Sequence, residues 1–248
     1  MSAVPHPEAP ALGDLPRVEP GEAFRFACHP GVPCFNACCR DLDLLLNPYD
    51  VLRLRRNLNV TSQELFSRFV DALELPDTGF PVAALRMADS PGRPCPFVRP
   101  SGCTVYEDRP AACRTYPLGR GTGLDEGGDV IERWCLVREE HCRGFEERPE
   151  WTSATWVADQ GVAEYAAVDD RYLVMVARVS RLGRRLSEQQ RRASGLALFQ
   201  LDRFAELLRD GDLLERLSVP CNDRDAIVAD ERLTLNFALN WLERELFR

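Results

Sequence analysis

Nine of the ten cysteines in this 248-residue chain fall between Cys28 and Cys142. They form three groups. The first is Cys28-His-Pro-Gly-Val-Pro-Cys34-Phe-Asn-Ala-Cys38-Cys39-Arg40, and the second places Cys95, Cys103 and Cys113 in CPF-x5-CTVYEDRPAACRTYP. The third is Cys135 and Cys142, with six residues between them. Thiolates are strong ligands for zinc and iron. Short spacings let a chain turn back and offer two sulfurs to one metal, while a distant pair completes a tetrahedral shell. Nine thiols exceed the four that one zinc ion or one 4Fe–4S cluster takes, so the count admits two sites with one cysteine left over. Neighbouring side chains usually diverge. Cys38 and Cys39 therefore either serve two sites, or one ligates while the other is a packed or reactive thiol. The expected metal-ligating set is Cys28, Cys34, Cys38, Cys39, Cys95, Cys103, Cys113, Cys135 and Cys142. Cys221 has no cysteine neighbours and is expected to be a buried thiol without a metal.

Residues beside the thiolates fit this chemistry. Arg40 follows Cys39 and Arg114 follows Cys113, where a guanidinium offsets thiolate charge. The alternative, surface arginines in an arginine-rich chain, has equal weight. Arg109-Pro110 reads as the start of a short helix capped by Asp108, which presents Cys113 one turn later. His29 and His141 adjoin cysteines and are of a zinc-ligating type, but sulfur alone is sufficient here. His6 has no expected role.

The elements that must position these residues divide near Glu150. Residues 1–22 read as a flexible tail, rich in proline and glycine. Residues 23–150 form a loop-rich metal-binding cysteine domain with short helices and small β pieces, and 151–248 a helical domain. The fold class is α+β, mainly α. Asn47-Pro48 opens a helix to about Asn57. Thr61 with Glu64 makes a capping box for a second helix, with Leu65, Phe66, Phe69, Val70 and Leu73 at helical spacing. β pieces are expected at Val82–Met87, Phe97–Val98, Thr104–Tyr106 and Val130–Trp134. Further on, helices are expected over Tyr172–Leu182, from Ser187 (with Gln190 as capping partner) to Gly211, and over about Asp225–Phe247. Trp151 and Trp156 are read as packing between the two halves. The helical domain offers a docking surface for a protein partner or substrate.

Composition removes several function classes. Apolar residues are 45% and charged residues 28%, an ordinary globular balance, and the net charge of −8 argues against nucleic acid or an anionic membrane as partner. All 31 basic residues are arginine. Without lysine there is no Schiff-base catalysis, no lysine-anchored pyridoxal phosphate and no Walker A lysine. No Gly-rich loop follows a strand as a dinucleotide site needs, and Cys34, Cys38 and Cys39 do not have the radical S-adenosylmethionine spacing. Cys-x-x-Cys is absent, which argues against thiol–disulfide catalysis. Asp169-Asp170 and Glu139-Glu140 read as solvated surface or helix starts. With neither a signal peptide nor an 18-residue apolar run, the expectation is a cytoplasmic protein with reduced thiols.

The first group resembles the CxxCxxCC element of the YkgJ-type cysteine-cluster family, and the second resembles its C-x-(I/V)-Y-x-x-RP-x-x-CR-x-(F/Y)-P signature. The resemblance covers about Phe24 to Gly144 and implies a cysteine domain that chelates zinc or iron. Its departure lies in the wider spacings from Cys28 to Cys34 and Cys34 to Cys38. These are similar to the FliB-type flagellin lysine N-methylases, a related group carrying an iron–sulfur cluster, which tilts the cofactor toward an iron–sulfur cluster (4Fe–4S) over zinc. The motif stops at the cysteines and does not carry methylase activity. The expected function is a cysteine-ligated metalloprotein in redox or group-transfer chemistry, acting on a protein. The alternatives are a non-catalytic zinc-binding structural or interaction module, and metal storage or delivery.

Overall fold

A computed structural model describes residues 15–19, 21–125 and 130–247. The fold is α+β and mainly α, with small antiparallel sheets. The chain makes two compact units, Met1–Leu44 with Arg86–Glu164, and Leu45–Leu85 with Tyr165–Arg248. Among the described residues no helix is long and apolar enough to cross a membrane.

The second unit is built on helices whose starts are written in the sequence. Pro48–Leu58 begins after Asn47, whose amide donates to the Asp50 carboxylate at 2.9 Å, and ends at Asn59 in the left-handed region. Ser62–Arg68 is capped by Thr61 and Glu64 reciprocally, at 3.2 and 2.8 Å. Ser187 and Gln190 do the same for Glu188–Phe199. Tyr165, Phe80, Leu52, Leu54, Leu65, Met175, Leu198, Leu235, Leu239 and Leu242 are all fully buried. That is ample apolar material for an independent core.

Several elements differ from their expected form. Phe69–Leu73 does not continue the second helix. Val70–Glu74 is a strand paired with Pro81–Leu85, because the 76–79 turn, Pro-Asp-Thr-Gly, folds it back as a hairpin. The helix expected from Ser187 to Gly211 breaks at Gln200 (φ −128°, ψ 56°) into Glu188–Phe199 and Leu201–Asp210. The last helix breaks at Asp230, whose side chain caps Glu231–Leu246 at the Arg232 and Leu233 amides, leaving Cys221–Ala229 separate. The helix expected at Tyr172 starts ten residues earlier, as Val162–Ser180.

The first unit has a smaller core of Val18, Phe24, Phe26, Leu118 and Trp156. Trp151 and Trp156 join residues beyond Glu150 to Phe24 and Phe26, as expected of a packing role, and they lie within this compact unit, edge to face with each other at 5.1 Å. Each indole N–H donates at 2.9 Å, Trp151 to the Phe26 carbonyl and Trp156 to the Thr115 carbonyl. Of the expected tail, residues 1–14 and 20 lie outside the described residues, while Val18 is buried and its amide donates to the Trp134 carbonyl. Leu118–Leu124 pairs with Val130–Leu136, Val98–Arg99 with Gly102–Cys103, and Ala23–Arg25 with Glu150–Thr152. Thr104–Tyr106, expected as strand, is turn running into a 3-10 helix at Tyr106–Asp108.

Candidate metal centre

Backbone pairing gathers the cysteines in two places. Strand Ala23–Arg25 lies beside Glu150–Thr152, and the pairing continues outward: the Phe26 amide donates to Pro149 and the Ala27 amide to Gly144, each at 3.0 Å. Cys28 and Cys142 are thereby side by side. The chain then turns on itself repeatedly, with Ala37 N–H to the Cys34 carbonyl at 2.8 Å and Cys39 N–H to that of Asn36 at 3.2 Å. Asn36 takes the left-handed conformation (φ 67°) that asparagine tolerates. The result is one pocket lined by Cys28, Cys34, Cys38 and Cys142 together with Val32, Tyr116 and His141.

The second gathering is built differently. Residues 39–41 run antiparallel to 93–95: the Cys95 amide donates to the Cys39 carbonyl at 2.9 Å, and Asp41 N–H to the Arg93 carbonyl at 2.9 Å. From Cys95 the chain enters a tight hairpin in which Val98 faces Cys103. Cys113 sits on the short helix Ala111–Thr115. The cap of that helix is Pro110, not Asp108 as expected, because Asp108 is already used in the preceding 3-10 turn. Cys39 interacts electrostatically with Cys113 and Cys95, and Cys95 with Cys103.

The thiols of each group perturb one another. Burial, then the Cys38, Cys34 and Cys142 thiols, push Cys28 up to about 11. Cys39 donates a hydrogen bond to Cys38, which raises Cys39 and lowers Cys38. Burial raises Cys95 and Cys103, opposed by backbone N–H groups of Phe97 and Val98 on Cys95 and of Val105 on Cys103. The Arg143 amide points at the Cys34 sulfur at 3.0 Å. An all-sulfur donor set with amide N–H groups aimed at the sulfurs fits a thiolate-bound metal, since those dipoles offset the negative charge of the shell. Among the described residues no three Cys, His, Asp or Glu side chains are already drawn together as ligands of one ion, so closing either shell requires side-chain movement.

Residues 27–135 match the CxxCxxCC family model, described as a proposed zinc- or iron-chelating domain. No curated protein and no solved structure matched the chain. The CxxCxxCC match supports metal binding by the cysteine segment, and it ends before Cys142, which the structure brings into the first group.

The remaining candidates fall elsewhere. Cys135 lies in Val130–Leu136, fully buried and apart from both groups, with its thiol 3.5 Å from the Gly119 carbonyl. Cys221 opens a helix of the second unit and is exposed rather than buried. Arg40 is exposed. Arg114 is not a surface arginine: it is buried and donates to the carbonyls of Gln160 at 2.7 Å and Glu107 at 2.5 Å. Arg109 lies over the Tyr106 ring and also reaches Gln160. The two arginines thus tie the Cys113 helix to the end of Ser153–Asp159, and Gln160 is a residue the sequence did not single out. His29 pairs with Glu147 at 3.5 Å. His141 faces Glu139 at 3.6 Å, and the Tyr116 hydroxyl donates to the same carboxylate at 3.0 Å beside Cys142.

Proposed function

We propose that the cysteine segment holds iron as an iron–sulfur cluster and that the protein uses it in redox or group-transfer chemistry on a protein substrate. The observation carrying this reading is the pocket lined by Cys28, Cys34, Cys38 and Cys142, with a backbone amide already donating to one of its sulfurs. Such a cluster, held by four thiolates, would supply one-electron transfer. The chain does the rest. Thiolates bind, amide dipoles stabilise their charge, and Val32 and Phe26 keep water from one side of the pocket. Tyr116 keeps its phenolic proton, because burial and the neighbouring Cys142 and Glu139 all oppose its ionisation. The spacing of the first cysteine group, similar to that of flagellin lysine N-methylases, supports a protein as the substrate class.

Protein purified without oxygen should contain iron and acid-labile sulfide in matching amounts and show a broad visible absorption that bleaches on reduction. Zinc without sulfide would replace this reading with a second one, a structural zinc module. One observation favours that second reading: the pocket encloses only ≈ 10 Å³, on the order of one water-sized sphere, which suits a single ion. Absence of both metals from protein prepared in this way would end both.

A further inference from the structure

We infer that the first unit carries two separate four-thiolate centres, Cys28/Cys34/Cys38/Cys142 and Cys39/Cys95/Cys103/Cys113, joined through the Cys38–Cys39 peptide bond, and that Cys135 ligates neither. This rests on the thiolate–metal reading above but not on which metal is bound. The backbone delivers the two sets by independent pairings. Residues 26–27 against 144–149 bring Cys28 to Cys142, whereas residues 39–41 against 93–95 bring Cys39 to Cys95. Each set draws one member from the adjacent pair. Cys38 lines the pocket with Cys28, Cys34 and Cys142, and Cys39 does not line it. Cys39, whose thiol also donates to Cys38, is paired through its backbone with Cys95, whose amide donates to the Cys39 carbonyl at 2.9 Å, and it interacts with Cys113. Four thiolates complete a tetrahedral zinc site or one cubane cluster, so eight of the nine thiols fill two shells.

The ninth, Cys135, is held in the ladder between Gly119 and Arg17, fully buried, with its thiol on a carbonyl oxygen. There it serves as a small apolar core residue. Cys142 has the opposite status. It lies beyond the segment matching the CxxCxxCC family, yet the first centre is one ligand short without it.

The test is anaerobic titration of the metal-free full chain with cobalt(II), read by the sulfur-to-cobalt charge-transfer band and the visible ligand-field bands. Two equivalents should bind per chain. Cys142→Ser and Cys113→Ser should each lose one equivalent, and Cys135→Ala none. Cys142→His and Cys113→His, which keep a ligand and so protect the fold, should each retain two equivalents and shift the visible bands of only one. One equivalent in the parent chain, abolished by either serine variant, would overturn the two-centre inference while leaving thiolate metal binding intact. So would a histidine variant that shifts the bands of both ions, the mark of one shared polynuclear cluster. Loss of an equivalent in Cys135→Ala would overturn the assignment of the ninth thiol. No sulfur-to-cobalt band at all would sink the metal-binding reading and this inference with it.

Discussion

At the residue scale burial holds several of the thiols in their protonated form, and that sets a pH dependence. Cys28 is pushed up to about 11, and Cys39, Cys95 and Cys103 are also raised. Metals bind thiolates, so each of these groups must release its proton on binding. The sign follows: below their folded pKa values protons compete with metal, and affinity climbs with pH. Each proton released makes the apparent affinity change about tenfold per pH unit. Competition against a chromophoric chelator between pH 6 and 8 should show this slope, and metal added to weakly buffered metal-free protein should acidify the solution. A pH-independent affinity would mean that the thiols are already ionised. A second residue prediction concerns Arg114. Lysine cannot fork to two carbonyls as the guanidinium does. Arg114→Lys should therefore lower stability by about 1.5–3 kcal/mol, the range for hydrogen bonds made by a charged group. A denaturant melt compared with that of Arg40→Lys, at an exposed position, isolates the effect.

At the scale of elements, what was legible in the sequence was chemistry repeated at fixed offsets. Asn47-Pro48, Thr61 with Glu64 and Ser187 with Gln190 each declare a helix start, and each forms where declared. The cysteine spacing announced that thiols would gather. It did not announce how they divide, because pairing between residues 39–41 and 93–95 leaves no periodic pattern in either segment. Leu118–Leu124 was hidden because Gly119, Gly121 and Gly123 occupy alternate positions where strand-forming residues would have advertised it. Gln200 breaks a helix without proline or glycine, so apolar spacing ran straight through it. Gly144 matters at this scale. A Cβ there would come within 2.7 Å of the Ala27 carbonyl oxygen and of the Phe26 ring. Backbone does not yield as a side-chain tip does, so the segments carrying Cys28 and Cys142 must separate. Gly144→Ala should cost about 1–3 kcal/mol, the usual range for overpacking, and weaken metal binding by the pocket of Cys28 and Cys142. A melt and a chelator competition check the two effects. An unchanged affinity would mean that this strand pairing does not set the pocket.

At the scale of the molecule, the two units draw their stability from different sources. The unit containing Tyr165, Phe80 and Met175 has a large set of fully buried apolar side chains. The unit containing the cysteines has five buried residues in its apolar cluster, with half-buried aromatics around them; its segment 28–44 is mostly turns and bends, and 93–115 holds only two two-residue strands, one 3-10 turn and a five-residue helix. A loop-rich segment with little apolar burial cannot by itself offset the chain entropy lost on ordering, roughly 1–2 kcal/mol per residue. Metal coordination supplies free energy of the size required. Stripping the metal should therefore act unevenly. Amide hydrogen exchange on chelator-treated full-length protein should show protection lost across residues 28–44, 93–115 and 139–147. Pro48–Leu58, Glu188–Phe199 and Glu231–Leu246 should remain protected in the same sample. Pro48–Leu58 is the informative element, since it lies in sequence between the first two cysteine groups and yet folds with the C-terminal helices. If its protection fell together with that of the cysteine loops, metal would be organising both units at once. If it held while the loops opened, the cysteine unit alone would depend on the ion, and the interleaved chain path would not make the two units fold as one.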